Sequence, residues 1–74
     1  MSLCDMNIGE IATIYKVDSS GDIKRRILDM GIVPGTKVEC FLKSPFGNLK
    51  AYLVRNTLVA LREEDSKRIK VKLV

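Results

Sequence analysis

Side chains able to do chemistry are few in this chain and badly spaced for it. None of its 74 residues is a histidine, which removes a His-based triad, an imidazole base near neutrality and the commonest metal ligand. Cys4 and Cys40 are its two cysteines, and without a Cys-x-x-Cys spacing they cannot supply a four-ligand zinc site. Cys40 falls on the apolar phase of a strand, where a cysteine acts as a small core residue. Glu63, Glu64 and Asp65 are consecutive, and on one short turn such residues point in different directions. They read as charges at a helix N-terminus, not as a cation cage. Neither a Walker loop nor a dinucleotide-binding glycine fingerprint occurs. The chain reads as no enzyme, with no metal site of its own, so its function must lie in a surface.

Groups suited to binding are better represented. The formal charge is +4 and the isoelectric point about 9.3, basic enough to raise nucleic acid or an anionic membrane leaflet as partners. The basic residues concentrate at Lys24-Arg25-Arg26 and at Lys67-Arg68 with Lys70 and Lys72, and either cluster also serves as an ordinary solvated face. Four residues form the candidate partner-binding set: Arg25, Arg26, Leu28 and Phe46. Arg25 projects away from the apolar stripe of its helix. Arg26 borders that stripe, where its stem can lie on apolar surface while its guanidinium reaches a partner or a helix-end carbonyl. Leu28 falls off the stripe and either widens the core face or joins an exposed patch. Phe46, in a Pro-Phe-Gly loop, either closes a barrel end or projects as an anchor.

The elements that must hold these groups are legible from residues 23–38. Ile23, Ile27 and Met30 recur at i, i+4 and i+7, one face of a helix that can cover a sheet. Asp29 projects with Arg25 from the opposite side, and Gly31 occupies the left-handed position after the helix, with Ile32 placed to touch Ile27. Val33-Pro34-Gly35-Thr36 predicts a type II turn, with proline presetting one φ and glycine supplying the positive one. Asp29, Gly31, Pro34 and Gly35 are thus the structural motif. Ser19, Ser20 and Asp22 are candidate N-caps.

Strands are predicted over 11–17, 36–43, 49–55, 57–62 and around Ile69, Val71 and Leu73. Val38, Cys40 and Leu42 should share the inner face of the second. Phe41, out of phase, belongs outside, where it can lie under the helix. Asn56 tolerates the left-handed backbone of a tight hairpin, and residues 63–66 predict one helical turn. Five short strands, a helix after the first and a turn before the last make a small mainly-β barrel in which few strand edges stay exposed. One domain, 1–74, is expected, with a thin core. Its thiols should be free and Cys4 should sit in a flexible terminus. No signal peptide or membrane span is expected, and the expected location is the cytoplasm.

Five segments then carry a resemblance over nearly the whole chain. They are Ile8-Gly9-Glu10-Ile11-Ala12; Arg26 through Thr36, reading Arg-Ile-Leu-Asp-Met-Gly-Ile-Val-Pro-Gly-Thr; Ser44-Pro45-Phe46-Gly47-Asn48; Ala60-Leu61-Arg62; and Ile69-x-Val71. In this order and spacing the chain resembles the FeoA family, small cytoplasmic proteins with an SH3-like barrel that accompany the bacterial ferrous iron transporter FeoB. Leu49, Asn56 and Ser66 depart from the family's usual proline, glycine and alanine, and each still suits a turn or a short helix. The resemblance implies an accessory or regulatory role in Fe(II) uptake, by docking on the cytosolic side of that GTP-driven permease. It does not imply that this chain binds iron itself; no cofactor is expected, membrane contact is expected only through the partner, and the chain is expected to be a monomer or weak homo-oligomer. Related barrels form the C-terminal SH3-like domain of iron-dependent repressors, and with no helix-turn-helix in this sequence a free-standing relative of that domain is one alternative reading. A small basic barrel that binds nucleic acid is the runner-up, short of the aromatic platforms such barrels use.

Overall fold

The computed structural model describes residues 1–45 and 49–74. Phe46, and with it the loop part of the candidate binding set, lies outside the described residues. Five strands, β1 (Ile11–Val17), β2 (Lys37–Lys43), β3 (Leu49–Val54), β4 (Thr57–Arg62) and β5 (Ile69–Leu73), form one antiparallel sheet in the order β4-β3-β2-β1-β5. Helix α1 (Gly21–Asp29) follows β1, and the single turn α2 (Glu63–Ser66) leads from β4 to β5. The expected mainly-β barrel with one inserted helix is therefore present, and its core joins β1, β2, β3, β5 and α1 through Ile14, Val38, Tyr52, Ile69 and Ile27.

Two bulges set the facing of the strands. The β1–β5 register shifts between Ile14 and Lys16, and the β2–β3 register between Cys40 and Leu42. Each shift leaves one aromatic residue unpaired, Tyr15 and Phe41, and both are largely exposed. An extra residue reverses the alternation beyond it. That is why Leu42, expected beside Val38 and Cys40, is 54% exposed. Phe41 lies outside as expected, but uncovered by the helix.

The helix stop is built as the glycine predicted. Gly31 has φ +86°, its N–H donates to the carbonyl of Leu28 (3.0 Å), and the Ile32 N–H donates to that of Ile27 (3.3 Å). These are the paired bonds of a Schellman stop, and Ile27 and Ile32 are both buried in the core. Gly35, at φ +93°, lies in a turn closed by the Thr36 N–H on the Val33 carbonyl (3.1 Å). The same turn is stitched to β1, because Gly35 donates to Ile14 (2.7 Å) and Ile14 donates to Thr36 (2.9 Å). At the other end of α1, Ser20 is the N-cap by its extended backbone but makes no side-chain cap bond. The β3–β4 hairpin turns on Arg55 (φ +50°) and Asn56 (φ +65°), the two left-handed residues of a type I′ turn.

The N-terminal lead departs from expectation. Residues 3–5 form a 3₁₀ turn in which Leu3 is fully buried, and Met6 is 1% exposed. Lys50, partly buried, donates from Nζ to the carbonyls of Cys4 (2.6 Å) and Met6 (2.9 Å), and the Tyr52 hydroxyl donates to that of Leu3 (3.2 Å). Cys4 thus belongs to a fastened segment and not to a flexible terminus. Apolar burial of Leu3 and Met6 offsets the entropy of ordering the lead, since a chain this short has little other core to offer.

Candidate docking groove

Helix α1 is rolled from the orientation its apolar stripe suggests. Of Ile23, Ile27 and Met30, only Ile27 is buried; Ile23 is 41% and Met30 37% exposed. Leu28 is half-buried and packs against the core. The inward direction therefore runs between Ile27 and Leu28, drawn there by the Schellman stop that buries Ile32 in the same core. The displaced half of the stripe, Ile23 and Met30, is left as the wall of a groove.

That groove, about 820 Å³, runs between α1 on one side and β4 with α2 on the other. Ile23, Arg26, Asp29 and Met30 line it from the helix; Ala60, Leu61 and Arg62 line it from β4. Leu49, Glu64, Asp65 and Arg68 complete it. Three arginines face three acids, so its formal charge balances. Arg62 pairs with Glu64 at 3.8 Å, both side chains well exposed, a contact of little energetic weight in water. Arg26 has no hydrogen-bond or ion-pair partner among the described residues, so it caps no helix-end carbonyl. A second hollow of about 540 Å³ lies on the outer sheet face beside the Pro34-Gly35 turn, with Lys37, Leu53 and Arg55 around it.

The structure separates the candidate binding residues. Arg26 enters the groove; Arg25 is exposed on the helix but does not line it. Leu28 faces the core. Asp29 borders the groove at the end of α1, whereas Gly31 and Pro34-Gly35 shape the chain beyond it. Ala60, Arg62 and Arg68 are groove residues that no spacing rule singles out, because they come together from different elements.

Thiol and phenol chemistry is suppressed. Burial raises the Cys4 thiol above its ordinary range, with the charges of Asp5 and Glu63 adding to it and Lys50 opposing. Burial likewise raises Cys40, again opposed by Lys50. Both thiols are free, and at neutral pH they stay protonated and weakly nucleophilic. The Tyr52 phenol is pushed up strongly by burial, with the Ser66 hydroxyl offsetting a little. Among the described residues no three His, Cys, Asp or Glu side chains gather to hold a metal ion, and no helix is long and apolar enough to cross a membrane.

A small antiparallel barrel interrupted by one helix, with a groove beside that helix, places the fold in the SH3-like class. The family model of the FeoA domain matches residues 1–73, and the chain belongs to that family. It is 32% identical over 74 residues to the Fe(2+) transport protein A/Fe(2+) transporter FeoB fusion protein of Porphyromonas gingivalis. The match takes in 100% of this chain and 9% of that protein, so the chain spans about a tenth of the curated relative. The solution structure of iron(II) transport protein A from Clostridium thermocellum superposes with a TM-score of 0.97 at 28% identity, covering 100% of this chain and 46% of that one. The zinc complex of Stenotrophomonas maltophilia FeoA, described as a prokaryotic SH3 domain protein, gives 0.85 at 29% identity over 97% of this chain and 89% of its own. A manganese-dependent transcriptional repressor shares the fold, with a TM-score of 0.90 at 16% identity over 100% of this chain and 36% of the repressor. The family is linked to ferrous iron transport.

Proposed function

We propose that this chain is a non-catalytic accessory module of bacterial ferrous iron uptake that acts in the cytoplasm by docking on the cytosolic side of a FeoB-type transporter. The observation that carries the reading is the Porphyromonas gingivalis relative, in which an Fe(2+) transport protein A portion and a FeoB portion share one polypeptide. Covalent linkage raises the effective concentration of one partner at the other, which is of use when the two portions act together. The groove between α1 and β4 is the docking surface: it combines exposed apolar side chains with Arg26, which has no partner among the described residues. The module binds iron only through the transport system, not by its own side chains.

Isotopically labelled protein titrated with the soluble GTPase domain of its cognate FeoB tests this reading. Saturable NMR shifts clustered on Ile23, Arg26, Met30 and Ala60 are expected. No shift at high concentration would remove docking on that domain. An anaerobic Fe(II) titration should change neither spectrum nor melting temperature, and a metal-dependent rise in melting temperature would overturn the indirect role.

A further inference from the structure

The two edges of the sheet are treated differently. At the β5 edge, Ser2 bridges to Lys70 and the Val71 N–H donates to the Met1 carbonyl (2.9 Å). Lys70 and Lys72 add the charges that discourage a further strand. Among the described residues the β4 edge has no such covering segment, and its one charge is Arg62 at the end of the strand. Its register with β3 runs unbroken from Val54↔Thr57 to Leu49↔Arg62, without bulge, proline or lysine.

The hairpin geometry says which groups are free. Val54 and Thr57 flank a two-residue turn and form a hydrogen-bonded pair, so the pairs alternate from there. Leu58, Ala60 and Arg62 fall in the non-bonded pairs, which aims their N–H and C=O groups away from β3. Neither Leu58 nor Ala60 takes part in a backbone hydrogen bond to another element among the described residues, whereas Arg62 is the N-cap of α2 and its carbonyl serves that helix's first turn, leaving its N–H. Ala60 and Arg62 also line the groove against α1. The open edge and the groove are one place.

We infer that this place receives an extended peptide strand of a partner protein, added antiparallel or parallel to β4 and seated between it and α1. Free donors and acceptors at every second residue match only an extended backbone. At about 3.3 Å per residue, a strand spanning 58–62 is about five residues long. Its side chains alternate, so one set meets Ile23, Met30 and Ala60 and should be apolar. Charge defines the rest of the occupant. The groove's three arginines are matched by three acids, which suits an uncharged segment. A second copy of this chain would bring +4 against +4, which opposes self-pairing. The inference deepens the docking reading and rests on it only for the partner's identity, the strand site being readable from the edge alone.

Linear nonapeptides displayed on phage as a random library are the probe. Peptides selected on the intact chain should carry apolar residues at alternate positions, and should slow amide exchange of Leu58, Ala60 and Arg62 by at least about tenfold. Ala60→Pro deletes an N–H that faces the free edge, a substitution edge strands accept, and should weaken those peptides at least about tenfold. If Ala60→Pro melts early, N-methylation of the selected peptide on alternate amides gives the same test: one set should abolish binding and the other spare it. An empty selection, peptides indifferent to Ala60→Pro or to both methylated sets, or self-association lost in Ala60→Pro would each overturn the inference. Selected strands together with a silent transporter titration would keep the strand site and remove docking on the GTPase domain.

Discussion

The N-terminal lead and strand β4 are both peripheral, yet one is locked and the other open. The lead carries two core side chains, Leu3 and Met6, and three of its carbonyls accept from Lys50 and Tyr52. Strand β4 buries Leu61 and half-buries Val59 while its other side chains stay exposed. In a domain this small, a segment is held where apolar burial and satisfied polar groups coincide. The difference teaches where binding capacity is stored: the lead has used its hydrogen-bonding groups to cover β5, and β4 still has its own to offer.

The comparison breaks most readily at Leu3. Leu3→Ala should lower unfolding free energy by about 2–5 kcal/mol, read as a fall in the urea midpoint, and a loss under 1 kcal/mol would mean the lead is not anchored. Lys50→Met should cost about 1–3 kcal/mol by leaving two carbonyls without their donor; faster exchange confined to residues near the lead would locate the effect. Gly31→Val is the control on α1. A Cβ there would meet nothing within 4 Å, so the strained left-handed backbone, which β-branching worsens, sets a cost of at least about 1–3 kcal/mol, read as a lowered melting temperature. The two ends of the scale sharpen the contrast: Leu58→Lys and Arg25→Glu, both on exposed positions, should shift stability by less than about 0.5 kcal/mol.

Alkaline pH probes the lead separately. Tyr52 holds its proton more firmly in the folded protein than in the unfolded chain, because burial disfavours the phenolate. Stability from this residue is full below the unfolded tyrosine pKa of about 10 and falls as pH rises above it. Tyr52→Phe should remove that part of the alkaline slope while costing about 0.5–1.5 kcal/mol at neutral pH through the lost bond to Leu3. An unchanged slope in a pH series of melts would place the titrating group elsewhere, with Cys4 and Cys40, also raised, the next to replace.

Much of the fold was legible because it is written in local rules. Gly31, Pro34-Gly35 and Asn56 each demand a backbone shape that few residues accept, and the strand pattern follows from alternation. The reading failed where an unpaired residue intervened. Phe41 at a bulge turned Leu42 outward, and nothing in a one-strand pattern marks a bulge. The binding set was less legible than the fold: of its described members Arg26 reaches the groove, Arg25 does not line it and Leu28 packs inward. Leu3 and Met6, spaced like one turn, were the available sign that the lead is core.

By itself the amino-acid sequence determined the element order, the helix stop, both tight turns, the absence of histidine chemistry and the family, since each depends on residue types or on neighbours a few positions apart. Only the tertiary structure decided the roll of α1, the fastening of the lead, and the meeting of Arg26 with Ala60, Arg62 and Arg68 beside an open edge. Those features depend on contacts between segments tens of residues apart, whose free energy is collective and leaves no periodic mark along the chain.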